Sequence, residues 1–263
     1  MFEFHKDKQR YFEIQYLISK NSIIPFVGQT IDMKQKLNVL EIGCAEAGVL
    51  KAFTELGHKC TGIELSPSRI ETAKTFFTEE IKNEQINFIA RDIYDIDVDK
   101  DLEHKYDLVI LKDVIEHIHD QKKFIARVRD FLTADGMIFF AFPPWYMPYG
   151  GHQQMAGSKI ASLLPYYHIL PRGTYKLFLK MFGETDKKIE DLLEIHDTGI
   201  SIERFQRLIK KNGFTISNKK FYLINPIYKY KFNMREMEQI ALISNIYLFR
   251  NFLTTSAYYL IKC

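Results

Sequence analysis

The chain has 263 residues, 46% of them hydrophobic, enough to bury a large core in one domain or in one domain with an inserted cap. A net charge of +3, with no block of five or six like charges, is too mild to demand a polyanionic partner, so a nucleic-acid substrate is not implied. Three cysteines, Cys44, Cys60 and Cys263, odd in number and without C-x-x-C spacing, exclude a disulfide framework and a zinc site of the usual spacing.

Residues 1 to 31 carry Phe4, Tyr11, Phe12, Ile14, Tyr16 and Leu17 at near-helical spacing, which predicts a helix leading into the fold and covering a ligand site. The first ten residues are charged and lack the apolar core of a signal peptide, so a cytoplasmic protein is expected. From Leu37 onward strand and helix patterns alternate. Strands are predicted at 37–42, 59–64, 86–91, 106–112 and 136–142, and helices at 46–57, 66–82 and 117–132. Ser66-Pro67 supplies a cap and a first-turn proline for the second of these helices. Such alternation predicts a parallel sheet with helices on both faces.

The interval from Pro143 to Gly199 fits no repeat and is rich in Pro, Tyr, Phe and His. It follows the fifth strand at the carboxyl edge, where ligands bind in open α/β sheets, and is expected to be a substrate cap. Ser201–Asn212 reads as an amphipathic helix, although the residue three after Ser201 is Arg204 and not an acid. Phe214–Leu223 and Thr255–Ile261 read as the last strands. Met137–Gly157 contains three prolines and Arg250 divides the apolar tail, so no membrane span is expected. The tail, Gln239–Phe249 included, is expected to have a structural role and not a membrane-binding one.

The segment Val39-Leu40-Glu41-Ile42-Gly43-Cys44-Ala45-Glu46-Ala47-Gly48 is the most informative one. An apolar run stops in small residues and restarts as a helical pattern, so a ligand can approach the backbone and the unpaired N–H groups of a helix start. Glu64 ends the next strand, placed to accept hydrogen bonds from a ribose diol. A dinucleotide site would set a pyrophosphate on this loop. Glu46 inside it would repel one, and Glu41 before the first glycine lies outside that pattern; both favour a cationic ligand.

Four blocks then follow in order: V-L-E-I-G-C-A-E-A-G, G-I-E-L-S, N-F-I-A-R-D-I and Y-D-L-V-I-L-K-D-V-I-E-H-I. Across residues 36–142 the chain resembles the class I S-adenosylmethionine-dependent methyltransferases. The resemblance implies an α/β fold, a seven-stranded, mostly parallel, doubly wound sheet whose last strand is inserted antiparallel, with a cap after the fifth strand. It divides one domain into a helical lead-in (1–35), a cofactor-binding core (36–142), a substrate cap (143–200) and a C-terminal helix with edge strands (201–263). It also implies that Glu41 lies near the methionine end of the cofactor, with Gly43 and Ala45 beneath it. Glu64 and Leu65 would meet the ribose, Asp92 and Ile93 the adenine, and Lys112 and Asp113 the methyl-transfer face. Ala45 and Ala47 depart from the family, which usually has glycine there. Cys44 is read as packing.

Methyl transfer to a hydroxyl needs a positioned acceptor and a base, and histidine suits that role at neutral pH. His152, His117 and Asp113 are the catalytic candidates. His117 has a structural alternative as a helix-start hydrogen-bonding residue, and His168 is read as packing. Asp113, Glu116, His117 and His152 also resemble the divalent-metal site of small-RNA terminal 2′-O-methyltransferases, and ubiquinone-pathway O-methyltransferases carry a similar segment. Mg2+ or Mn2+ there would bind adjacent hydroxyls and lower the pKa of one. Asp113 stands where that motif has glutamate. Phe142-Pro143-Pro144-Trp145-Tyr146 resembles the N-P-P-Y motif of N-methyltransferases only superficially, since it follows the wrong strand and begins with Phe. Trp145, Tyr146 and Tyr149 read either as an aromatic wall or as cap packing. The expected activity is O-methylation of a small or glycan-like polar molecule. The alternatives are a metal-assisted nucleic-acid 2′-O-methyltransferase, for which Lys210, Lys211, Lys219 and Lys220 offer only a modest basic face, and a non-catalytic S-adenosylmethionine-binding protein.

Overall fold

A computed structural model describes residues 7–263; Phe4 lies outside the described residues. The strands are β1 Asn38–Ile42, β2 Lys59–Glu64, β3 Ile86–Ala90, β4 Tyr106–Lys112, β5 Leu132–Phe142, β6 Thr215–Ile224, β7 Met237–Glu238 and β8 Ser256–Lys262. They form one sheet in the order β3-β2-β1-β4-β5-β8-β6-β7. β1 to β5 pair in parallel, and β8 is inserted antiparallel between β5 and β6, as the resemblance implied. The eighth strand is the addition: two residues, Met237–Glu238, on the outer edge of β6, too short to leave a pattern in the sequence.

Both faces of the sheet are covered, so its central strands read as unbroken apolar runs rather than alternating ones. Side chains still alternate: Val39, Leu108, Ile110 and Phe139 face the N-terminal helices, while Leu40, Val109, Leu111 and Phe140 face the opposite layer. The N-terminal helix Lys8–Ile18 continues through a π turn, Ser19–Ile23, into Ile24–Val27. Pro25 lacks the N–H that would continue a regular ladder there.

Three predicted elements change shape. The expected helix 66–82 is two helices, Pro67–Phe76 and Thr78–Lys82, broken at Phe77, whose buried ring packs edge-on to Phe12 and Phe88. The expected helix 117–132 is a 3-10 turn, Ile115–His117, followed by Gln121–Arg129, whose start is capped by Asp120 accepting from the Lys123 N–H at 3.0 Å. β5 begins at Leu132 rather than 136, because a register shift against β4 absorbs the turn-like residues after it.

Residues 143–200 carry the helices Lys159–Leu163, Arg172–Met181 and Asp186–Thr198 around an apolar cluster of their own that includes Tyr175, Leu179 and Leu192. Trp145 belongs to that packing: its N–H donates to Ile200 O at 2.8 Å, and its ring meets His168 and His196 edge-on. Tyr146 stacks on Phe252. The aromatic-wall alternative is therefore not what Trp145 does.

Ser201 caps the helix Ile202–Lys211 by accepting from the Arg204 N–H at 3.1 Å, so the missing acid costs the helix start nothing essential. Glu203 on that helix anchors the tail, accepting from Arg250 Nε at 2.9 Å and Asn251 Nδ2 at 2.7 Å. β8 is buried in the sheet, but Ile240, Leu242, Ile246 and Tyr247 are exposed, so the structural role expected of the whole tail holds only for part of it. Among the described residues no helix is long and apolar enough to cross a membrane.

Candidate active site

β1 delivers Glu41 to the carboxyl edge, where it is 3% exposed and its Oε2 accepts no hydrogen bond from the described residues. Burial pushes its pKa well above the ordinary carboxylate value, with Lys112 opposing and Glu64 and Asp113 reinforcing the rise. The following loop folds back on β2 through N–H donation from Gly43 and Cys44 to Ile63 O, at 2.8 and 3.1 Å. It turns through left-handed backbone at Gly43, Ala45 and Ala47. Burial raises the Cys44 thiol well above its ordinary value, which agrees with a packing residue and not a nucleophile.

Glu64 ties two loops together: one carboxylate oxygen accepts from Ala45 N–H and the other from Ser66 N–H, both at 3.0 Å. Leu65 beside it is 69% exposed, an apolar surface next to an acid. Asp92 accepts from Tyr94 N–H at 3.0 Å, and Ile93 is buried in the layer beneath, so of these two only Asp92 reaches the edge through a polar atom. Glu46 is buried and paired through both oxygens with Arg69 Nε and Nη2, at 3.2 and 3.0 Å, so its charge in the loop is matched by a guanidinium. Glu41 and Glu46 both line a cavity, and of the two Glu41 is the one with an unpartnered oxygen.

That cavity is lined by the loop, by Glu41 and Lys112, and by Tyr11, Phe12 and Gln15 of the N-terminal helix, which covers it as the aromatic spacing predicted. The helix comes this close because Gly48 has no side chain; a Cβ there would collide with the Phe12 carbonyl. An orphaned buried carboxylate oxygen inside the cavity and, outside its lining, the Glu64 carboxylate beside exposed Leu65 are groups that suit the ammonium and the ribose of S-adenosylmethionine.

At the end of β4, Asp113 adopts left-handed backbone (φ 56°) and donates its N–H to Ala141 O at 2.8 Å. Its carboxylate is ion-paired to Lys112 Nζ. Desolvation would raise the Asp113 pKa, but Lys112, then Lys231 and His152, hold it below the ordinary value. His117 closes the 3-10 turn and meets His152 of the cap edge-to-face, ring centroids 5.1 Å apart. His152 also has left-handed backbone (φ 54°). Desolvation lowers the His117 pKa, against opposing pulls from Asp113 and Glu194, which favours the neutral imidazole.

One ligating atom each from Glu116, His117 and His152 lies within 4.8 Å of the others. Glu116 is 3% exposed and neither of its oxygens accepts a hydrogen bond from the described residues. Three of the four residues in the expected metal motif thus converge. Asp113 is not among them, because Lys112 takes its carboxylate. His168 is fully buried between Gln153 Nε2, 2.5 Å from its Nδ1, and Trp145 O, 2.7 Å from its Nε2, a packing residue as expected.

Three residues near the site escaped the sequence reading, and a fourth, Tyr11, was expected only as part of the covering helix. Gln121 donates to Ile115 O at 3.2 Å and Thr198 O at 2.6 Å, fixing the Glu116-bearing turn against the cap. Tyr11 lines the same cavity as Lys112 and, like Tyr228 and Lys231 from the helix Ile227–Phe232, interacts electrostatically with Asp113. No spacing rule connects residues so far apart in the chain.

A family model described as a methyltransferase domain matches residues 13–217. The ubiquinone biosynthesis O-methyltransferase of Rickettsia akari (strain Hartford) is 32% identical over 102 residues, 39% of this chain and 38% of that protein. The enzyme of the same description from Coxiella burnetii (strain Dugway 5J108-111) is 26% identical over 118 residues, 45% of this chain and 48% of that protein. These matches thus span less than half the length of either relative. Among solved structures, the plantazolicin methyltransferase BpumL in complex with SAH aligns over 98% of this chain and 86% of its own, with TM-score 0.55 and 13% identity. The PH0226 protein from Pyrococcus horikoshii OT3 aligns over 100% and 99%, with TM-score 0.54 and 14% identity. At these identities the structures show the fold, while the family match covers most of the chain: it belongs to the methyltransferase-domain family and is a class I S-adenosylmethionine-dependent methyltransferase.

Proposed function

We propose that the protein methylates a hydroxyl group of a small polar acceptor held between the cap and the carboxyl edge of the sheet, with a divalent cation bound by Glu116, His117 and His152. The observation that carries this reading is the convergence of those three side chains around a buried carboxylate with no hydrogen-bond donor of its own. An unpartnered buried carboxylate is costly, and a cation or a donor from the acceptor removes that cost. The relatives' printed activity, O-methylation in ubiquinone biosynthesis, supports oxygen as the acceptor atom.

When bound, S-adenosylmethionine supplies an electrophilic methyl group, and a divalent cation supplies a Lewis acid that acidifies a coordinated hydroxyl. The chain's own residues do the rest. Glu41, Gly43, Ala45, Glu64, Leu65 and Asp92 hold the cofactor, and the N-terminal helix excludes water from its methionine end. Lys112 fixes Asp113 at the methyl-transfer face. His152 stands beside His117, whose burial favours the neutral imidazole, and the pair would face the acceptor's oxygen or hold the cation. Imidazole ligation favours Mn2+ over Mg2+.

His152→Ala is expected to leave S-adenosylhomocysteine affinity intact and to lower turnover by roughly 10²- to 10⁴-fold on hydroxyl acceptors. Chelator should abolish turnover and Mn2+ restore it. Full activity in chelator removes the cation and leaves the histidines as bases; unimpaired turnover by His152→Ala refutes the assignment of the site.

A further inference from the structure

The N-terminal helix Lys8–Ile18 buries Phe12, Ile14, Gln15 and Ile18, and Gln15 is the polar member of that set. Tyr11, Phe12 and Gln15 lie on one face of the helix, at i, i+1 and i+4, and all three line the cavity that also receives Glu41. Gln15 is brought there by the missing side chain of Gly48: a Cβ at that position would stand 2.8 Å from Gln15 Cβ.

Gln15 is 6% exposed, and its Oε1 accepts no hydrogen bond from the described residues. A leucine of similar length would fill the same space without the cost of an unpartnered amide oxygen, which is about 1–3 kcal/mol. The side chain therefore answers to something other than helix packing. Among the described residues lining this cavity, the buried side-chain atoms without a partner are both oxygens, Gln15 Oε1 and Glu41 Oε2. Such a space calls for a donor and not for an acceptor.

Charge and size narrow the donor further. Lys112 is matched by Asp113 and Glu46 by Arg69, so Glu41 is the acid on the cavity wall without a counterion. The cavity volume is about 30 Å3, where one water needs roughly 10–15 Å3. It suits a compact cation with several N–H groups, the size of a water molecule, and excludes a ring or a guanidinium. The amino-acid end of S-adenosylmethionine carries one such group.

We infer that Gln15 receives the α-ammonium group of S-adenosylmethionine jointly with Glu41, so that the covering helix supplies a cofactor-specificity residue and not only a roof. The inference needs the cofactor of the family and is independent of the acceptor and of the divalent cation.

The test is calorimetric titration of wild type, Gln15→Leu and Gln15→Glu with S-adenosylhomocysteine, with its analogue lacking only the amino group, and with its analogue lacking only the carboxylate. Gln15→Leu should weaken the two ammonium-bearing ligands by roughly 10- to 150-fold and leave the deaminated one within about twofold of wild type. Gln15→Glu keeps an acceptor oxygen and should keep the preference for the amino group. Should Gln15→Leu fail to fold, Gln15→Met also lacks that oxygen and is read in the same way. Equal weakening of all three ligands makes Gln15 a packing residue, and weakening confined to the ligands that keep the carboxylate makes it a donor to that group. No weakening leaves its oxygen to water. Each of these three results overturns the inference.

Discussion

Replacing Glu64 by alanine removes a carboxylate with two duties, and their sizes can be separated. In the protein alone its oxygens accept from the N–H groups of Ala45 and Ser66, both at 3.0 Å. Neither residue is buried, so water replaces much of what those N–H groups lose, and the melting temperature should fall by only a few degrees. On the proposed assignment the same carboxylate also accepts from the ribose hydroxyls of the bound cofactor, and hydrogen bonds to a charged group are worth about 1.5–3 kcal/mol. Affinity for S-adenosylhomocysteine should therefore weaken by roughly 10- to 150-fold. Glu64→Gln is not a gentle control, because its amide oxygen can serve one backbone N–H while its NH2 group confronts the other. Calorimetric titration with S-adenosylmethionine and S-adenosylhomocysteine, with NAD as the negative control, makes the measurement. An affinity for Glu64→Ala within twofold of wild type would refute the assignment of the ribose site.

Three further outcomes are expected. Ala45→Gly and Ala47→Gly both relieve left-handed backbone, but Ala47 is fully buried and its methyl is worth about 0.8 kcal/mol, so denaturant unfolding should find Ala45→Gly the more stable by about that amount. Gly48→Ala drives a Cβ into the Phe12 carbonyl and to 2.8 Å from Gln15 Cβ; it should cost about 1–3 kcal/mol and expose the N-terminal helix to proteolysis, read by midpoint and by cleavage rate. His168 is held neutral by burial, its pKa lowered from 6.5 to about 4, so the unfolded chain binds the extra proton between those values and stability falls as pH drops below 6.5. The loss reaches about 3 kcal/mol near pH 4, and unfolding midpoints at pH 7 and 4.5 should diverge less in His168→Gln than in wild type.

The first half of the chain was legible for a specific reason. Parallel strands buried on both faces leave apolar runs such as Leu108–Leu111, and each ends where a polar or small residue reaches the carboxyl edge, so β1, β2 and β4 fall within a residue of their predicted bounds. Local exceptions escaped because they are tertiary. Phe77 leaves helical geometry to place its ring against Phe12 and Phe88, and the start of β5 is disguised by a bulge. At the site, Glu41 and Glu64 were visible as acids in the last two residues of β1 and β2, and Glu116 and His117 as the turn that follows β4. Arg69's pairing with Glu46 and the approach of Lys231 were not, because they join elements whose relative placement the sequence does not state.

Left-handed backbone recurs at the site and bears on its composition. Non-glycine residues pay about 1–2 kcal/mol each for that conformation, and Ala45, Ala47, Asp113 and His152 all adopt it within this one region. At Asp113 and His152 a glycine would remove the strain together with the carboxylate or imidazole that faces the cleft. The surroundings hold them instead: Ala141 O receives the Asp113 N–H, Tyr149 O receives the His152 N–H, and the next residue, Gln153, is locked to buried His168. At Gly43 no side chain is needed, and a Cβ would strike Val114, which adjoins Asp113. Ala45 and Ala47 are the uncompensated cases, strained without a reacting group, and their methyls narrow the loop beneath the cofactor. At Asp113 and His152 the chain therefore accepts strain in exchange for a side chain that glycine could not supply, an exchange that does not account for Ala45 and Ala47, nor for Glu84, Tyr166, Asn233 and Leu248, which adopt the same conformation outside these loops.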